Sequence, residues 1–331
     1  MGVLARVPPA VLPLGAVWTV IVLGSVLGAA VLQVLGPLPR AAAPPTALAV
    51  SPSAVLPSAW DGRTPMPIAA LLEPARQFPG AMLPQIGPDG RMPRVAYARP
   101  ATGMPGRPQI AIVLSGLALS EVDSLYAIRS LPGVVTLAIS PYAANAAPVL
   151  AAARAQGHEL LASVPMEPDG GDTAGRRALL TGASPDENST NLAWALSRTQ
   201  GYAGVTGAGD NGLVGGRFAA QSSSFGFMLD EVGRRGLYYL DPRVTPHALP
   251  VALPSATVAV ILDEPPTAEL DIRLATAERI ARDKGSAIAL AGPPRRATVE
   301  RLAAWVQTLE ARGFVLVPVS ALVATPSKDG L

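Results

Sequence analysis

The segment Gly157–Pro168, GHELLASVPMEP, contains the pattern around which the rest of the chain is organised. Its Glu159–Val164 core is an apolar run with the length of a buried strand, and it follows the alanine-rich helical pattern Ala143–Gln156. The strand leads into a short loop whose acidic residue is Glu167. In α/β folds, loops of this kind carry the functional side chains. We therefore expect a buried strand followed by a site-forming loop.

Strand and helix patterns alternate along residues 109–322. Repeated βα alternation favours a parallel sheet covered by helices, and we expect a deformed (β/α) barrel with seven or eight strands. The other predicted strands are Gln109–Leu114, Val134–Ile139, Tyr202–Val205, Leu237–Leu240, Thr257–Leu262, Ala287–Leu290 and Phe314–Val317. The predicted helices are Glu121–Ser130, Ala143–Gln156, Asn188–Thr199, Phe225–Arg235, Ala268–Lys284 and Thr298–Arg312.

The N-terminal region carries an apolar segment. There is no charged residue between Arg6 and Arg40, and Val11–Gly36 is almost entirely apolar. A hydrocarbon core of about 30 Å needs roughly 20 helical residues, so residues 11–36 are predicted to be a transmembrane anchor. With Arg6 and the amino terminus inside, residues 1–10 form a short cytoplasmic segment. The expected location is the inner membrane, in a single pass, with the main domain facing the periplasm. A cleaved signal peptide is the alternative, although its apolar region usually has about 7 to 15 residues.

Residues 37–108 are rich in proline, alanine and glycine, as in AAAPPTALAVSPSAVLPS. Because such a segment lacks a periodic apolar face and its prolines favour extended backbone, it is predicted to be a stalk or linker. Within it, Met66–Phe78 could form a short helix or pack on the domain, and Leu83–Ala101 could contribute to the first edge of the fold. The folded domain is then 109–322, and residues 323–331 form a tail.

The composition excludes several kinds of site. The chain has no cysteine, which excludes disulfides, thiolate nucleophiles and cysteine-based metal sites. Its only histidines are His158 and His247, too few for a mechanism that needs several imidazoles in one site. The formal net charge is +2 and no basic block is present, so no nucleic-acid partner is expected.

Several motifs, in order along the chain, resemble those of the divergent polysaccharide deacetylase family. The resemblance covers about residues 109–322 and implies a deacetylase-like barrel whose partner is an N-acetylated glycan or another component of the cell envelope. The motifs are Val135–Tyr142 (VTLAISPY), Gly157–Glu159 (GHE), Pro165–Pro168 (PMEP), Gly215–Phe218 (GGRF), Arg235–Asp241 (RGLYYLD) and Val317–Ser320 (VPVS).

At the positions where this family has its catalytic and metal-binding residues, the present sequence has residues of other types. A hydrolytic metal centre needs about three protein ligands and an open position for water. We therefore expect no metal cofactor and a catalytically degenerate site. The expected Asp-Asp pair falls on Ser115 and Gly116, the expected His on Ala162 or Ser163, the Asn-Asn-His run on residues 206–214, and a late Gly-His-Pro on Gly292-Pro293-Pro294.

Polar residues near these motifs are candidates for a cleft. For catalysis, only Glu167 and Asp210 come into question. Two of the candidates have structural alternatives: His158 could be a core histidine that donates to a backbone carbonyl, and Arg217 could form an ion pair with Asp241. Glu167 could also accept hydrogen bonds from nearby backbone amides. The ligand-binding candidates are Ser115, His158, Glu159, Glu167, Asn211, Arg217, Asp241 and Arg243.

Two short patterns point to other chemistries. Residues 207–212 spell GxGxxG, but a dinucleotide fingerprint opens directly into a helix, and no helix pattern follows, so no nucleotide is expected. Ser115 lacks the glycine two positions earlier that a nucleophile elbow requires, which argues against a serine hydrolase.

Three functions are consistent with these observations. The first is a cell-envelope protein that has lost its metal and binds a glycan or a partner. The second is an active carbohydrate N-deacetylase or hydrolase that uses Glu167 and Asp210 with zinc or another divalent metal. The third is an envelope scaffold in which the proline-rich stalk is the important part.

The predicted anchor can be tested by carbonate extraction of membranes. We expect the full chain to stay in the membrane pellet, because an apolar helix of this length is not released by high pH, and a variant lacking residues 11–36 to be released. Release of the full chain would contradict the anchor.

Overall fold

The computed structural model describes residues 60–101, 106–171, 175–208, 215–245, 247–262 and 267–325. The predicted anchor, residues 11–36, lies outside these ranges. Within them, no helix is both long and apolar enough to cross a bilayer.

A small hairpin precedes the main sheet. It consists of the antiparallel strands β1 (Leu72–Pro74) and β2 (Met82–Pro84), and the short helix α1 (Pro93–Ala96) follows it. The strands of the main sheet are β3 (Gln109–Leu117), β4 (Thr136–Ile139), β5 (Leu160–Ser163), β6 (Gly204–Thr206), β7 (Tyr238–Asp241), β8 (Ser255–Thr257), β9 (Val260–Ile261), β10 (Ser286–Ala291) and β11 (Val315–Leu316). The helices are α2 (Glu121–Ser130), α3 (Ala147–Ala155), α4 (Pro185–Ser197), α5 (Gly216–Ala220), α6 (Ser222–Arg234), α7 (Thr267–Lys284) and α8 (Arg296–Leu309).

The main sheet is parallel and strongly curled. Its strands follow the order β8-β7-β6-β5-β4-β3-β10-β9, and β11 pairs with β3. Strands β8 and β9 lie at opposite ends of this order, yet only residues 258–259 separate them in the chain. The two ends of the sheet therefore meet at one segment, which confirms the predicted parallel α/β architecture with a barrel-like sheet.

The segment that joins the two ends also explains a difference from the predicted strands. The sequence pattern predicts one strand over Thr257–Leu262, whereas the structure has two short strands. The amide of Val258 donates to Asp241 O at 2.9 Å, on the β7 side, and the amide of Ala259 donates to Ile288 O at 2.8 Å, on the β10 side. Because successive amides bond to opposite edges of the sheet, the segment divides into two strands.

Two apolar clusters cover the two faces of the sheet. Outward-facing residues such as Ile112 and Leu160 pack with helix residues such as Ile128 and Val149. Inward-facing residues such as Val113 form the second cluster, which contains no residue of α2–α8. Burial on both faces gives the nearly continuous apolar runs that are typical of parallel strands.

Residues 60–101 pack on the barrel, although their composition predicts a stalk. They belong to the same compact unit as the barrel, and Leu71, Leu83 and Tyr97 are almost completely buried. Full burial of each leucine side chain stabilises the fold by about 1.5 to 3 kcal/mol. These residues lie in short apolar runs, at 68–72, 81–83 and 95–98, that prolines and polar residues interrupt, so the sequence shows no sustained periodic apolar face there. A stalk can therefore occupy only residues that precede 60.

A buried carboxylate ties three distant segments together at the amino end of β5. Glu159 is fully buried and accepts hydrogen bonds from Tyr238 Oη at 2.8 Å, Ser320 N at 3.1 Å and Arg99 N at 3.0 Å. Burial raises the pKa of Glu159, and these donors act in the opposite direction. The carboxyl group thus links the N-terminal segment, β7 and the C-terminal 3-10 turn Val319–Leu322.

Tyr238→Phe tests this link. It removes one donor from a buried carboxyl group, so we expect a loss of about 1 to 3 kcal/mol in the free energy of unfolding, measured by urea denaturation. The matched control is Tyr126→Phe, since the Tyr126 hydroxyl donates to Glu300 at the surface and its loss should cost less than about 0.5 kcal/mol. Equal effects of the two changes would show that Glu159 does not depend on Tyr238.

Candidate functional site

Described residues of the four expected catalytic motifs lie at the carboxyl edge of the curled sheet, while residues 209–214 of the third motif lie outside the described ranges. Ser163 and Thr206 are direct partners at the ends of β5 and β6. An ideal Cβ on Gly292 would lie 2.1 Å from Ser115 Oγ, so the ends of β3 and β10 are in contact there. Ser115, Ser163 and Thr206 carry hydroxyl groups, and Gly292 has no side chain. Ser163 Oγ is buried without a hydrogen-bond partner among the described groups.

A register shift between Leu114 and Leu117 shapes this part of β3. Gly116 lies in the shift with φ of 72°, in the left-handed region that glycine adopts at no steric cost. Most side chains would be strained at this position. The local backbone therefore suits the glycine that the sequence has in place of an acidic residue.

Glu167 joins the loop after β5 to α5. Its Oε2 accepts hydrogen bonds from the amide and hydroxyl of Thr181, at 2.7 and 2.6 Å, and its Oε1 lies 3.1 Å from Arg217 Nε. These hydrogen bonds from Thr181, with the charge of Arg217, lower the pKa of Glu167. The carboxylate is thereby a fixed acceptor with little basicity, which suits a structural role better than proton transfer.

Asp241 and Arg243 form a buried pair at the end of β7. Arg243 donates from Nε and Nη2 to the two carboxylate oxygens of Asp241, at 2.9 and 2.7 Å, and Asp241 is almost completely buried. The hydrogen bonds to Asp241 raise the pKa of Arg243. The alternative ion pair between Arg217 and Asp241 is therefore not formed, because each arginine lies beside a different carboxylate.

A cavity of about 730 Å³ opens beside this pair. Arg243 lines it together with Asp169, Ser222 and Thr245, and its apolar wall includes Ala220. A cavity with these donors and acceptors can hold a hydroxyl-rich ligand. Sequence patterns did not single out Asp169, Ser222 or Thr245. Two of these residues could have been found from their spacing, because Asp169 lies two residues after Glu167 and Thr245 lies two residues after Arg243.

Two of the predicted cleft residues lie at the opposite edge of the sheet. His158 and Glu159 immediately precede β5, so they are at its amino end, whereas the cavity is at the carboxyl edge. His158 is fully buried, its Nδ1 lies 2.7 Å from Val135 O, and burial lowers its pKa. Both residues therefore belong to the core, and neither lines the cavity. Asp210 and Asn211 lie outside the described residues.

The described residues do not fit a hydrolytic metal centre. In this part of the chain, no three His, Asp or Glu side chains form a group that could hold a metal ion. The described motif positions are occupied by Ser115, Gly116, Ala162 or Ser163, residues 206–208 and Gly292, none of which has the imidazole, carboxylate or thiolate group that holds zinc in catalytic sites. These described groups therefore give no basis for assigning a step of a metal-dependent reaction.

The curled parallel sheet with a cleft at its carboxyl edge defines a deacetylase-like α/β domain. The sequence model of the divergent polysaccharide deacetylase family matches residues 112–323, and the chain belongs to this family, as the motifs predict.

The chain is similar to several solved structures, and no curated protein matches it. One of these structures is a crystal structure of an uncharacterized protein from Agrobacterium tumefaciens C58, with 34% identity and a TM-score of 0.68; the match covers 73% of this chain and 100% of that chain. Another is the catalytic domain of a peptidoglycan N-acetylglucosamine deacetylase from Eubacterium rectale ATCC 33656. Its identity is 13% and its TM-score 0.43, with 70% of this chain and 98% of that chain covered.

Glu167→Gln tests the structural role of this carboxylate. Because the folded protein lowers the pKa of Glu167, its contribution to stability is present above the ordinary pKa of a glutamate and is lost as the pH falls through the folded value. We expect the variant to unfold at a lower urea concentration than the wild type at pH 7, and the difference to shrink towards pH 3.

The matched control is Glu310→Gln, which changes an exposed glutamate that forms no ion pair in the described part of the chain. This variant should show no such pH-dependent difference. If Glu167→Gln behaves in the same way as the control, the loop does not depend on the carboxylate.

Proposed function

We propose that this protein is a glycan-binding member of the divergent polysaccharide deacetylase family that has lost metal-dependent hydrolysis. The observation that supports the proposal is that Ser115, Ser163, Thr206 and Gly292, described residues at the expected motif positions, form two contacting pairs at the carboxyl edge and carry no carboxylate or imidazole. A neutral hydroxyl is a weak metal ligand, and serine and threonine hydroxyls are poor general bases at neutral pH.

The cavity beside this edge is the proposed binding site. Arg243 is held by two hydrogen bonds to Asp241, so its guanidinium has a fixed orientation before a ligand arrives. Asp169 offers an acceptor, and Ser222 and Thr245 offer hydroxyls that can donate or accept. This mixture suits sugar hydroxyls and the amide of an N-acetyl group.

We also propose that residues 11–36 anchor the protein in the inner membrane, with the domain in the periplasm, where cell-envelope glycans are found. The length of the apolar segment and its lack of charge support this proposal. An anchor of this kind would keep the binding domain close to the glycans of the cell envelope.

Binding and hydrolysis can be tested on the full-length chain in detergent. We expect tetra-N-acetylchitotetraose to bind, as measured by calorimetry, and to release no acetate with or without added zinc. Ala220→Trp, which fills the cavity from an exposed position on α5, should weaken binding at least tenfold, or about 1.4 kcal/mol. Ala155→Trp, an exposed alanine on α3 outside the cavity, should leave the affinity unchanged.

The outcomes separate the candidate functions. Zinc-dependent acetate release that is lost in Asp210→Asn would establish the active deacetylase in place of the binding protein. An absence of binding, or an Ala220→Trp variant that binds as tightly as Ala155→Trp, would overturn the proposed glycan site.

A further inference from the structure

A second cavity, of about 390 Å³, lies in the outer helical layer, and it shares no lining residue with the cavity beside Arg243. One of its walls is a single face of α3, where Ala147, Leu150, Ala151 and Arg154 follow the spacing of successive helical turns. Residues 197–200, at the end of α4 and just after it, form another wall. The cavity therefore has a mainly apolar floor, with a cation at one end.

Arg154 is a buried cation without a carboxylate partner in the described part of the chain. The residue is only 6% exposed, its Nη2 donates to Gln200 O, and its Nε has no hydrogen-bond partner there. Buried arginines are normally paired, because removing an unpaired charge from water is costly. Elsewhere, Arg235 contacts Glu73 and Glu231. Arg154 is thus charged, buried and neutralised by none of the described carboxylates.

A second arginine, Arg198, lines the same cavity and is exposed. Arg198 donates to the carbonyl oxygens of Pro141 and Ala143, at 3.1 and 3.3 Å, and its guanidinium lies 5.9 Å from the centre of the Trp194 ring. It forms no ion pair with any described residue. Beside it, Thr199 Oγ1 is buried and has no partner among the described groups. Two guanidinium groups and an unused hydroxyl therefore line one cavity.

We propose that this cavity binds a small organic carboxylate with a short alkyl group. The carboxylate would be held between Arg154 and Arg198, since a planar guanidinium matches the two oxygens of a carboxylate. The alkyl group would contact Leu150, the alanines of α3 and Pro67. A cavity of this size is at the lower end of the range of ligand pockets, about 300 to 1,000 Å³, which favours a small molecule.

The test uses hexanoate as the probe and hexanamide as its neutral counterpart, with the full-length chain and binding measured by calorimetry. We expect hexanoate to bind at least tenfold more tightly than hexanamide, because the amide has no charge to place beside the arginines. Inorganic phosphate, an anion without an alkyl group, should bind more weakly than hexanoate.

Two variants locate the probe. Ala151→Glu puts a carboxylate three residues before Arg154 on the same helix face and should reduce hexanoate affinity at least tenfold without loss of the folded state, since Ala151 is exposed. Ala155→Glu adds the same charge to α3 outside the cavity and should not change the affinity. Arg198→Gln removes one cation and should also weaken hexanoate binding.

Each contrary result overturns the assignment. Equal affinity for hexanoate and hexanamide would show that the charges are not used. Tighter binding of phosphate than of hexanoate would show that the apolar wall is not used. Unchanged hexanoate affinity in both Ala151→Glu and Arg198→Gln would place the probe elsewhere.

Discussion

Backbone pairing of residues 255–262 with β7 on one side and β10 on the other holds the ends of the sheet together, and the site depends on it. The amide of Val258 donates to β7, and the amide of Ala259 donates to β10. In an open sheet, the carbonyl groups that accept these bonds would lie unpaired at the edges. The curl that this pairing maintains brings the carboxyl ends of β3, β5, β6, β7 and β10 to one rim. Val258 bonds to the backbone of Asp241, whose side chain orients Arg243, so sheet geometry and cavity chemistry share a residue.

Two of the carboxylates at this rim are paired with arginines. Glu167 lies beside Arg217, and Asp241 lies beside Arg243. A carboxylate that is paired in this way is a weaker base than an unpaired one. Pairs of this kind do provide donors in fixed directions, which is what recognition of a polar ligand requires.

The sequence predicts the parts of the fold that have a strong period and misses those set by single contacts. The α2 bounds agree with the prediction, and β5 falls within its predicted range, because a regular apolar pattern extends over each. The partner of Arg217 could not be predicted, since Glu167 and Asp241 are both near the site and only the folded loop decides between them. His158 adopts the core position that the sequence offered as its structural alternative, whereas the role of Glu159 depends on Arg99, Tyr238 and Ser320, which are distant in the sequence. Residues 60–101 were assigned to a stalk because their apolar runs are short and are interrupted by prolines, so they show no sustained period.

The chain enters the folded unit at the amino edge of the sheet. Thr64 donates from Oγ1 to His158 O at 2.7 Å, and its amide donates to Arg154 O, both next to the start of β5. The cavity lies at the other edge of the sheet, and none of residues 60–101 lines it. Packing of the N-terminal segment and the chemistry of the cavity therefore involve separate groups of residues.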